Sequence, residues 1–390
     1  MSVLPTESMS EILEKIVSYG ESHKDEFLGI LEKVVNYESY TYGEKSVKDK
    51  CGLYLEDLFK GLGFETWHFD AGEAGTHICG RYGSGKKKIF LLGHYDTVFP
   101  TGTTETRPFS MKDDKAYGPG IFDMKGGLVG FYMAVKALQE LDIYPEGTEL
   151  TFFFSCDEEG GSVTSRAEIE KMAKEADVTL VTEPGHKGEG YITIERYGRD
   201  VVKVKAIGVA AHAGHHPTCN PLVEIARQAQ YINDKCSDGE KLFASIVSLH
   251  GGDAGATAAT PAEGYLITDI RYVDDEHGKI AAQVIKDIKP TIEGMKIEIS
   301  GGVEKPALKQ GEYSKAAVTR TIEIIEEMGY EYKPKVLGGG SDGNFTSGIG
   351  CPTIDGLGLN GEFLHNPREY VITSTISQRV ALIAELIRTL

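Results

Sequence analysis

Residues 89–100, IFLLGHYDTVFP, place a histidine and an aspartate two positions apart at the end of an apolar run. A short apolar run bounded by glycine and proline predicts a buried strand. Side chains at i and i+2 of a strand face the same way, so we expect His94 and Asp96 to point together beyond the strand end. A carboxylate beside an imidazole can hold one ring nitrogen and direct the other at a metal ion. In isolation, such a pair more often simply closes a strand.

Two further apolar runs are also predicted to be strands that end in carboxylates. Residues 149–155 lead into Glu158 and Glu159, and residues 178–181 lead into Glu183. Each carboxylate has an ordinary alternative as a solvated turn residue. Successive residues leaving a strand diverge, however, so one of the two adjacent glutamates can bind a metal while the other holds a water.

Two more ligand-type side chains come from predicted loops. Asp123 lies in GPGIFDMKGG, just ahead of a predicted helix, and His365 lies in FLHNP. Taken singly, Asp123 would offset the free amides of a helix N-terminus, and His365 would be an ordinary loop histidine. Their recurrence together with the strand-end residues favours a shared site, because two imidazoles with three or four carboxylates suit two zinc ions that share one carboxylate.

The elements that would position these residues alternate as in an α/β protein. Helical periodicity over 9–36, 46–62 and 127–141 separates the predicted strands, and sites in such proteins lie at the carboxyl ends of strands. Near residue 190 the pattern changes to short strands and amphipathic helices for about 110 residues, a length typical of one small domain. The α/β pattern returns from Tyr313. The chain length of 390 residues also favours two domains.

Composition excludes several function classes. The formal net charge of −18 argues against non-specific nucleic-acid or anionic-membrane binding, which needs a basic surface. Six scattered cysteines without a CxxC pair indicate free thiols in a reducing compartment. The sequence shows no signal-peptide pattern and no apolar run long enough to span a membrane, so we predict a cytoplasmic protein that binds neither membranes nor nucleic acids.

Seven motifs in order carry a family resemblance: GHYDTV, GPGIFDMKGG, DEEGGS, TEPG, GVAAHAG, GGGSDGN and LHNPREYV. Over essentially its whole length the chain resembles the co-catalytic dizinc amidohydrolases, which include glutamate carboxypeptidase, acetylornithine deacetylase, succinyl-diaminopimelate desuccinylase and aminoacylase. The resemblance implies a zinc-peptidase-like catalytic domain, a mixed sheet flanked by helices, over residues 1–190 and 309–390. It also implies an inserted α+β lid and dimerisation domain over 191–308, and a homodimer formed through it.

The resemblance also implies a ligand set for two zinc ions, which Co²⁺ or Mn²⁺ could replace. His94, Asp123 and Glu183 would hold one ion. Asp123, Glu159 and His365 would hold the other, which makes Asp123 the bridging ligand.

Three catalytic roles follow from the same resemblance. Glu158 would be the general base, and Asp96 would orient the ring of His94. His212, in GVAAHAG, matches the lid histidine that is thought to approach the substrate carbonyl, often across a dimer interface. The alternative for His212 is a plain strand-end histidine.

The substrate-binding positions depart from the family pattern. Arg271, in TDIRY, matches a lid arginine linked to substrate carboxylates, although a salt bridge on a strand is an alternative. Lys305 stands where glutamate carboxypeptidases often show an arginine, and Ala258 where an asparagine is usual. Gly339 lies in a glycine run whose amides could approach a substrate carboxylate or merely form a turn.

These features predict zinc-dependent hydrolysis of an amide bond next to a free carboxylate, of the carboxypeptidase or dipeptidase type. On the resemblance, Glu183 favours the peptidase and aminoacylase side of the family, because carboxypeptidase and aminoacylase members tend to carry glutamate there and several deacetylases and desuccinylases carry aspartate. The first alternative is an N-acyl amino acid amidohydrolase (a deacetylase or aminoacylase). A less favoured alternative is an enzyme that hydrolyses an unusual amide or amine substrate. A catalytically silent metal-binding scaffold would predict damaged ligands, and the set is intact.

Overall fold

The computed structural model of the protein describes residues 10–215 and 217–390. In chain order the α-helices over these ranges are α1 (Glu11–Ser22), α2 (Lys24–Asn36), α3 (Lys45–Gly61), α4 (Thr103–Thr106), α5 (Gly126–Glu140), α6 (Arg166–Glu175), α7 (Pro221–Lys235), α8 (Asp275–Lys286), α9 (Lys315–Glu327), α10 (Gly343–Gly348) and α11 (Ile376–Thr389). A short turn, Ile121–Lys125, precedes α5.

The strands over the same ranges are β1 (Glu65–Asp70), β2 (Thr76–Gly83), β3 (Lys87–His94), β4 (Ser110–Lys112), β5 (Lys115–Tyr117), β6 (Thr148–Ser155), β7 (Val178–Val181), β8 (Tyr191–Arg196), β9 (Gly198–Ile207), β10 (Ala211–His212), β11 (Leu242–Gly251), β12 (Ala259–Thr260), β13 (Glu263–Tyr272), β14 (Lys296–Lys305), β15 (Lys333–Leu337), β16 (Thr353–Ile354), β17 (Gly361–Glu362) and β18 (Tyr370–Ile372). The three strands predicted to carry the site are β3, β6 and β7.

Contacts within the chain divide it into two compact units. The first comprises the chain up to Ile194 together with Gln310–Val336 and Ser341–Leu390, and the second comprises Glu195–Lys309 and Leu337–Gly340. The short segment Leu337–Gly340 groups with the second unit because it forms hydrogen bonds to residues there. For example, the amide of Tyr197 donates to the carbonyl of Leu337 at 2.9 Å. The lid and dimerisation role of residues 191–308 stays a prediction.

The first unit is built on a six-stranded mixed sheet in the order β1-β2-β6-β3-β7-β16. Strands β6, β3, β7 and β16 run parallel, and β2 pairs antiparallel with both β6 and β1. The predicted mixed sheet flanked by helices is therefore confirmed. Because β3, β6 and β7 are parallel neighbours, their carboxyl ends meet at one edge of the sheet.

Strand β3 shows why this sequence forms a buried central strand. Ile89 and Leu91 face one side and pack into a core that includes residues of α3, α5 and α11. Phe90 and Leu92 face the other side and pack with residues of α6 and α10. All four are fully buried. A strand covered on both faces is expected to read as a continuous apolar run, as this one does.

The second unit contains a four-stranded antiparallel sheet in the order β11-β13-β9-β14. Helices α7 and α8 contact these strands. The buried side chains alternate along each central strand, with Val202, Val204 and Ala206 on β9 and Leu266 and Ile270 on β13. This period of two gives the unit a hydrophobic core of its own.

Two further features concern the chain as a whole. Over residues 10–215 and 217–390, no helix is both long enough and apolar enough to cross a membrane. The six cysteines are free thiols, and all but Cys219 are buried. Buried thiols pack as small apolar groups.

Candidate metal centre

The last residue of β3, His94, faces carboxylates from two other segments. Its Nε2 lies 3.3 Å from Oδ1 of Asp123 and 3.6 Å from Oε1 of Glu183. Glu183 follows β7, which pairs directly with β3, and Asp123 comes from the short turn before α5. All three side chains are buried. The structure therefore brings together the three residues that the family resemblance assigns to one metal ion.

A second imidazole approaches the other oxygen of Asp123. Nε2 of His365 lies 3.1 Å from Oδ2 of Asp123 and 3.0 Å from Oε1 of Glu159. His365 adopts φ +57°, a left-handed conformation that is uncommon for a residue with a Cβ. Asp123 thus presents one carboxylate oxygen to each imidazole, which is the arrangement that a bridging ligand requires.

The donor atoms converge closely enough for a metal ion. The ligand atoms of His94, Asp123 and Glu159 lie within 4.8 Å of one another, and so do those of His94, Glu158 and Glu183. Glu158 therefore stands as near to the cluster as a ligand would. The predicted division of roles between Glu158 as base and Glu159 as ligand stays a prediction.

Two buried atoms of the cluster test whether a metal ion fits. In the described part of the chain, Nε2 of His94 and Oδ1 of Asp123 are buried and, although they lie 3.3 Å apart, neither forms a well-directed hydrogen bond. Leaving such groups unsatisfied costs about 1–3 kcal/mol each. A cation between them would satisfy both, and imidazole with carboxylate is a ligand set that suits zinc. These residues fit a metal site.

The electrostatics of the cluster also suit a cation. Hydrogen bonds to Asp123 and Glu159 raise the pKa of His365 to about 10. Burial would lower the pKa of His94, but the neighbouring carboxylates of Asp123 and Asp96 raise it well above its usual value. Burial, and then the charge of Asp123, raise the pKa of Glu159 to about 7. The negative field that holds protons on the imidazoles would equally hold a divalent ion, whose binding would release those protons.

Asp96 lies next to the cluster and is fully buried. Its Oδ1 accepts the amide of Glu158 at 3.1 Å, and its Oδ2 accepts the amide of Glu159 at 3.1 Å and the hydroxyl of Thr41 at 2.8 Å. Nδ1 of His94 lies 3.0 Å from the backbone carbonyl of Asp96 and 3.4 Å from its carboxylate. Asp96 therefore lies on the Nδ1 side of His94 and also holds the loop that follows β6. Its role in orienting His94 stays a prediction.

Sequence reasoning missed Glu369, whose only signal was its place in the motif LHNPREYV. Its buried carboxylate accepts backbone amides of Phe122 at 2.8 Å and of Gly120 and Asp123 at 3.2 Å each. Burial raises the pKa of Glu369 to about 8. The three hydrogen bonds hold the turn that carries Asp123, so Glu369 positions this carboxylate.

The remaining predicted site residues, His212, Arg271, Lys305 and Gly339, all belong to the second unit. His212 is exposed at the end of β10, and its Nδ1 accepts the amide of Gly214 at 3.1 Å. Lys305 ends β14 and is buried. The roles of His212 and Lys305 stay predictions.

Arg271 is engaged by neighbours of its own unit. Its Nε lies 2.6 Å from Oδ1 of Asp269, and its two terminal nitrogens donate to Oδ2 of Asp269 and to the carbonyl of Gly338. These contacts support the salt-bridge alternative for Arg271. The carbonyl of Gly339 accepts a hydrogen bond from Arg196 at 3.3 Å. The substrate roles of Arg271 and Gly339 stay predictions.

The chain is similar to known proteins in sequence. Residues 90–389 match the family described as peptidase family M20/M25/M40. Carboxypeptidase G2 from Pseudomonas sp. (strain RS-16) is 34% identical over 377 residues, which cover 92% of this chain and 88% of that protein. Succinyl-diaminopimelate desuccinylase from Roseobacter denitrificans (strain ATCC 33942 / OCh 114) is 28% identical over 359 residues, which cover 85% of this chain and 91% of that protein.

Solved structures share the fold. Aminopeptidase PepT from Bacillus cereus ATCC 10987 superposes with a TM-score of 0.73 at 21% identity, covering 94% of this chain and 98% of that one. The M20 family metallo-carboxypeptidase Sso-CP2 from Sulfolobus solfataricus gives a TM-score of 0.71 at 17% identity, with coverage of 93% and 99%. At these identities the likeness shows the fold alone.

Proposed function

The chain belongs to peptidase family M20/M25/M40, and from this premise we propose that it is a zinc-dependent carboxypeptidase or dipeptidase that hydrolyses an amide bond next to a free carboxylate. The observation that carries the proposal is Asp123, which presents one oxygen to His94 and the other to His365. The likeness to carboxypeptidase G2 supports the choice of a carboxypeptidase.

Two zinc ions are part of this proposal. His94, Asp123 and Glu183 would hold one ion, and Asp123, Glu159 and His365 would hold the other. Bound there, the ions would supply Lewis-acid activation of a water and of the scissile carbonyl. Co²⁺ or Mn²⁺ could replace zinc, because the same imidazole and carboxylate ligands suit them.

The chain's own residues would move the protons. In the proposal, the carboxylate of Glu158 takes a proton from the attacking water and then gives it to the leaving amine, so the amide bond is exchanged for a carboxylate and a free amine. Asp96 would keep His94 oriented from the Nδ1 side. His212, on the resemblance, would stabilise the tetrahedral oxyanion.

The second unit and the assembly belong to the same proposal. On the resemblance we assign the second unit the lid and dimerisation role, with a homodimer as the working enzyme. The substrate would be a small peptide. The six free thiols support a reducing compartment such as the cytoplasm.

A second candidate function is an N-acyl amino acid amidohydrolase. The 28% identity to a succinyl-diaminopimelate desuccinylase favours it. Both functions use the same metal chemistry and differ only in the acyl group.

The test is a matched substrate panel. Zinc-loaded enzyme and a chelated control would be given dipeptides, the same dipeptides as C-terminal amides, and N-acetyl and N-succinyl amino acids. We expect chelator-sensitive cleavage of the free dipeptides, and much slower cleavage of their amides. Cleavage confined to acyl amino acids would favour the second function. If the metal-bound enzyme hydrolysed no substrate of the panel, both functions would be overturned.

A further inference from the structure

A buried lysine of α3 joins two segments beside the candidate metal centre. Lys48 is 1% exposed, and its Nζ donates to the carbonyl of Thr41 at 2.6 Å and to the carbonyl of Cys156 at 3.2 Å. Within residues 10–215 and 217–390, no carboxylate forms an ion pair with it. Because burying an ammonium without a counter-charge costs several kcal/mol, this lysine needs the two carbonyls as its partners.

The two segments that Lys48 joins are those that hold Asp96. The hydroxyl of Thr41 donates to Oδ2 of Asp96 at 2.8 Å. The amides of Glu158 and Glu159, shortly after Cys156 in the chain, donate to Oδ1 and Oδ2 of Asp96 at 3.1 Å each. The ammonium of Lys48 therefore connects the two segments, one at Thr41 and one at Cys156, that supply these donors to the Asp96 carboxylate.

Cys156 is also held on its other side. Its amide donates to Nδ1 of His77 at 3.2 Å, while Nε2 of His77 lies 2.9 Å from the hydroxyl of Thr164. That hydroxyl donates to Asp157 at 2.6 Å, so Nε2 must carry the proton and Nδ1 must accept. The residue that leads into Glu158 is thus clamped by His77 at its amide and by Lys48 at its carbonyl.

We propose that Lys48 is a positioning residue of this enzyme, which fixes the Asp96 carboxylate and the direction in which Glu158 and Glu159 leave β6. The inference rests on the proposed function. Lys48 touches neither metal nor substrate in this scheme and acts through the backbone of Thr41 and Cys156. A shift of about 1 Å in a catalytic group can cost roughly 100-fold in rate, so we expect the loss of these contacts to be measurable.

The first test compares Lys48→Met with Lys45→Met. Lys45 lies on the same helix and its ammonium pairs with the exposed carboxylate of Asp70, so its loss controls for removing a lysine from α3. In K48M we expect kcat to fall about 10- to 100-fold with KM within about threefold, and zinc affinity, measured by competition with a chromogenic chelator, to fall about tenfold. K45M should match the wild type in both readouts.

A second variant, Thr41→Val, changes the contacts of Asp96 directly. It removes the hydroxyl that donates to Asp96 but keeps the carbonyl that Lys48 binds. If both residues act through Asp96, the double variant K48M/T41V should lose less activity than the product of the two single losses. Thr41→Ser, which keeps the hydroxyl, should restore most of the activity lost in T41V.

Three outcomes would overturn the proposal. In the first, K48M matches K45M in kcat and zinc affinity and only its unfolding temperature falls. In the second, the activity loss of the double variant equals the product of the two single losses, and in the third T41V keeps full activity. If K48M does not fold, Lys48→Gln, whose shorter side chain has no charge but still carries an amide donor, takes its place in the same comparison with K45M. Failure of the proposed function is distinguishable, because it would show as a wild-type enzyme that binds zinc but cleaves nothing, and the chelator competition would still test Lys48.

Discussion

Oδ2 of Asp96 lies 3.1 Å from the backbone nitrogen of Glu159. One side chain thereby couples the end of β3 to the loop that follows β6, since the other oxygen of the same carboxylate accepts the amide of Glu158. Hydrogen bonds from amides to a carboxylate are about twice as strong as neutral ones. The two strand ends that supply His94 and Glu159 are consequently held in a fixed relation.

Replacing Glu158 with glutamine should separate catalysis from metal binding. The amide cannot accept a proton, so we expect kcat to fall by about 10²–10⁴-fold, the range for a lost general base. Zinc content, measured by mass spectrometry of the metal, should stay at the wild-type value. Glu175→Gln, at the exposed end of α6, is the control and should leave both quantities unchanged.

Loss of metal from E158Q would contradict this assignment. Glu158 lies within 4.8 Å of ligand atoms of His94 and Glu183. Such a result would make Glu158 a ligand and would transfer the role of base to Glu159.

Asp123→Asn should weaken metal binding at both of the proposed ion positions. Asp123 faces both imidazoles, and a neutral amide is a poor ligand beside them. We expect metal content to fall below one ion per chain, and hydrolysis to be lost with it. Asp142→Asn is a matched control, because Asp142 is exposed and its φ of +55° suits asparagine. Retention of two ions in D123N would exclude a bridging role.

Glu369→Ala should destabilise the turn that carries Asp123. The substitution leaves three backbone amides without their acceptor, so we expect the free energy of unfolding to fall by about 2–4 kcal/mol, measured by urea denaturation. Zinc affinity should fall as well, since the turn positions a ligand. An unchanged zinc affinity would show that Asp123 is held by other contacts.

The sequence predicted those parts of the site that depend on local pattern. His94, Asp96, Glu159 and Glu183 could be found because each follows an apolar run, and parallel strands bring their carboxyl ends together. Lys48 could not be found in this way, because it lies within a helix and reaches Thr41 and Cys156 only through tertiary packing.

Thr41 and Glu369 escaped prediction for a related reason. Each acts through a hydrogen bond to a segment remote in sequence, 55 residues away for Thr41 and Asp96 and 246 for Glu369 and Asp123. No periodicity in the sequence reports such a pairing. The inserted unit was predicted from a change in pattern, but the segment Leu337–Gly340 groups with it through hydrogen bonds that the sequence does not display.

Stability should depend on pH through His77. Burial lowers the pKa of His77, although the charge of Asp157 opposes the shift. Because the folded-state value lies below the ordinary value of about 6.5, the stabilisation is complete above pH 6.5 and is lost as the pH falls through the folded-state pKa. His77→Gln has no such titration. Urea denaturation of zinc-saturated protein should therefore show the advantage of wild type over H77Q shrinking below about pH 6.5, by at most about 1.4 kcal/mol per pH unit.

Parallel curves for wild type and H77Q would contradict that prediction. The metal ligands titrate in both proteins, so their contribution cancels in the difference. A constant difference would mean that the pKa of His77 is the same in the folded and the unfolded chain.

Arg271→Ala should distinguish a structural arginine from a substrate-binding one. Its guanidinium is bonded to both oxygens of Asp269 and to the carbonyl of Gly338, which leaves few donors for a substrate. We therefore expect R271A to lower the unfolding temperature, because Asp269 loses one of its two cationic partners, the other being Arg199. KM for dipeptides should change by less than about threefold, since no carboxylate receptor is removed.

The control is Asp269→Asn, which weakens the same ion pairs from the other side and should lower stability in the same direction. A rise in KM of about tenfold or more for free dipeptides, absent for their C-terminal amides, would instead make Arg271 the carboxylate receptor and show that it leaves Asp269 when substrate binds.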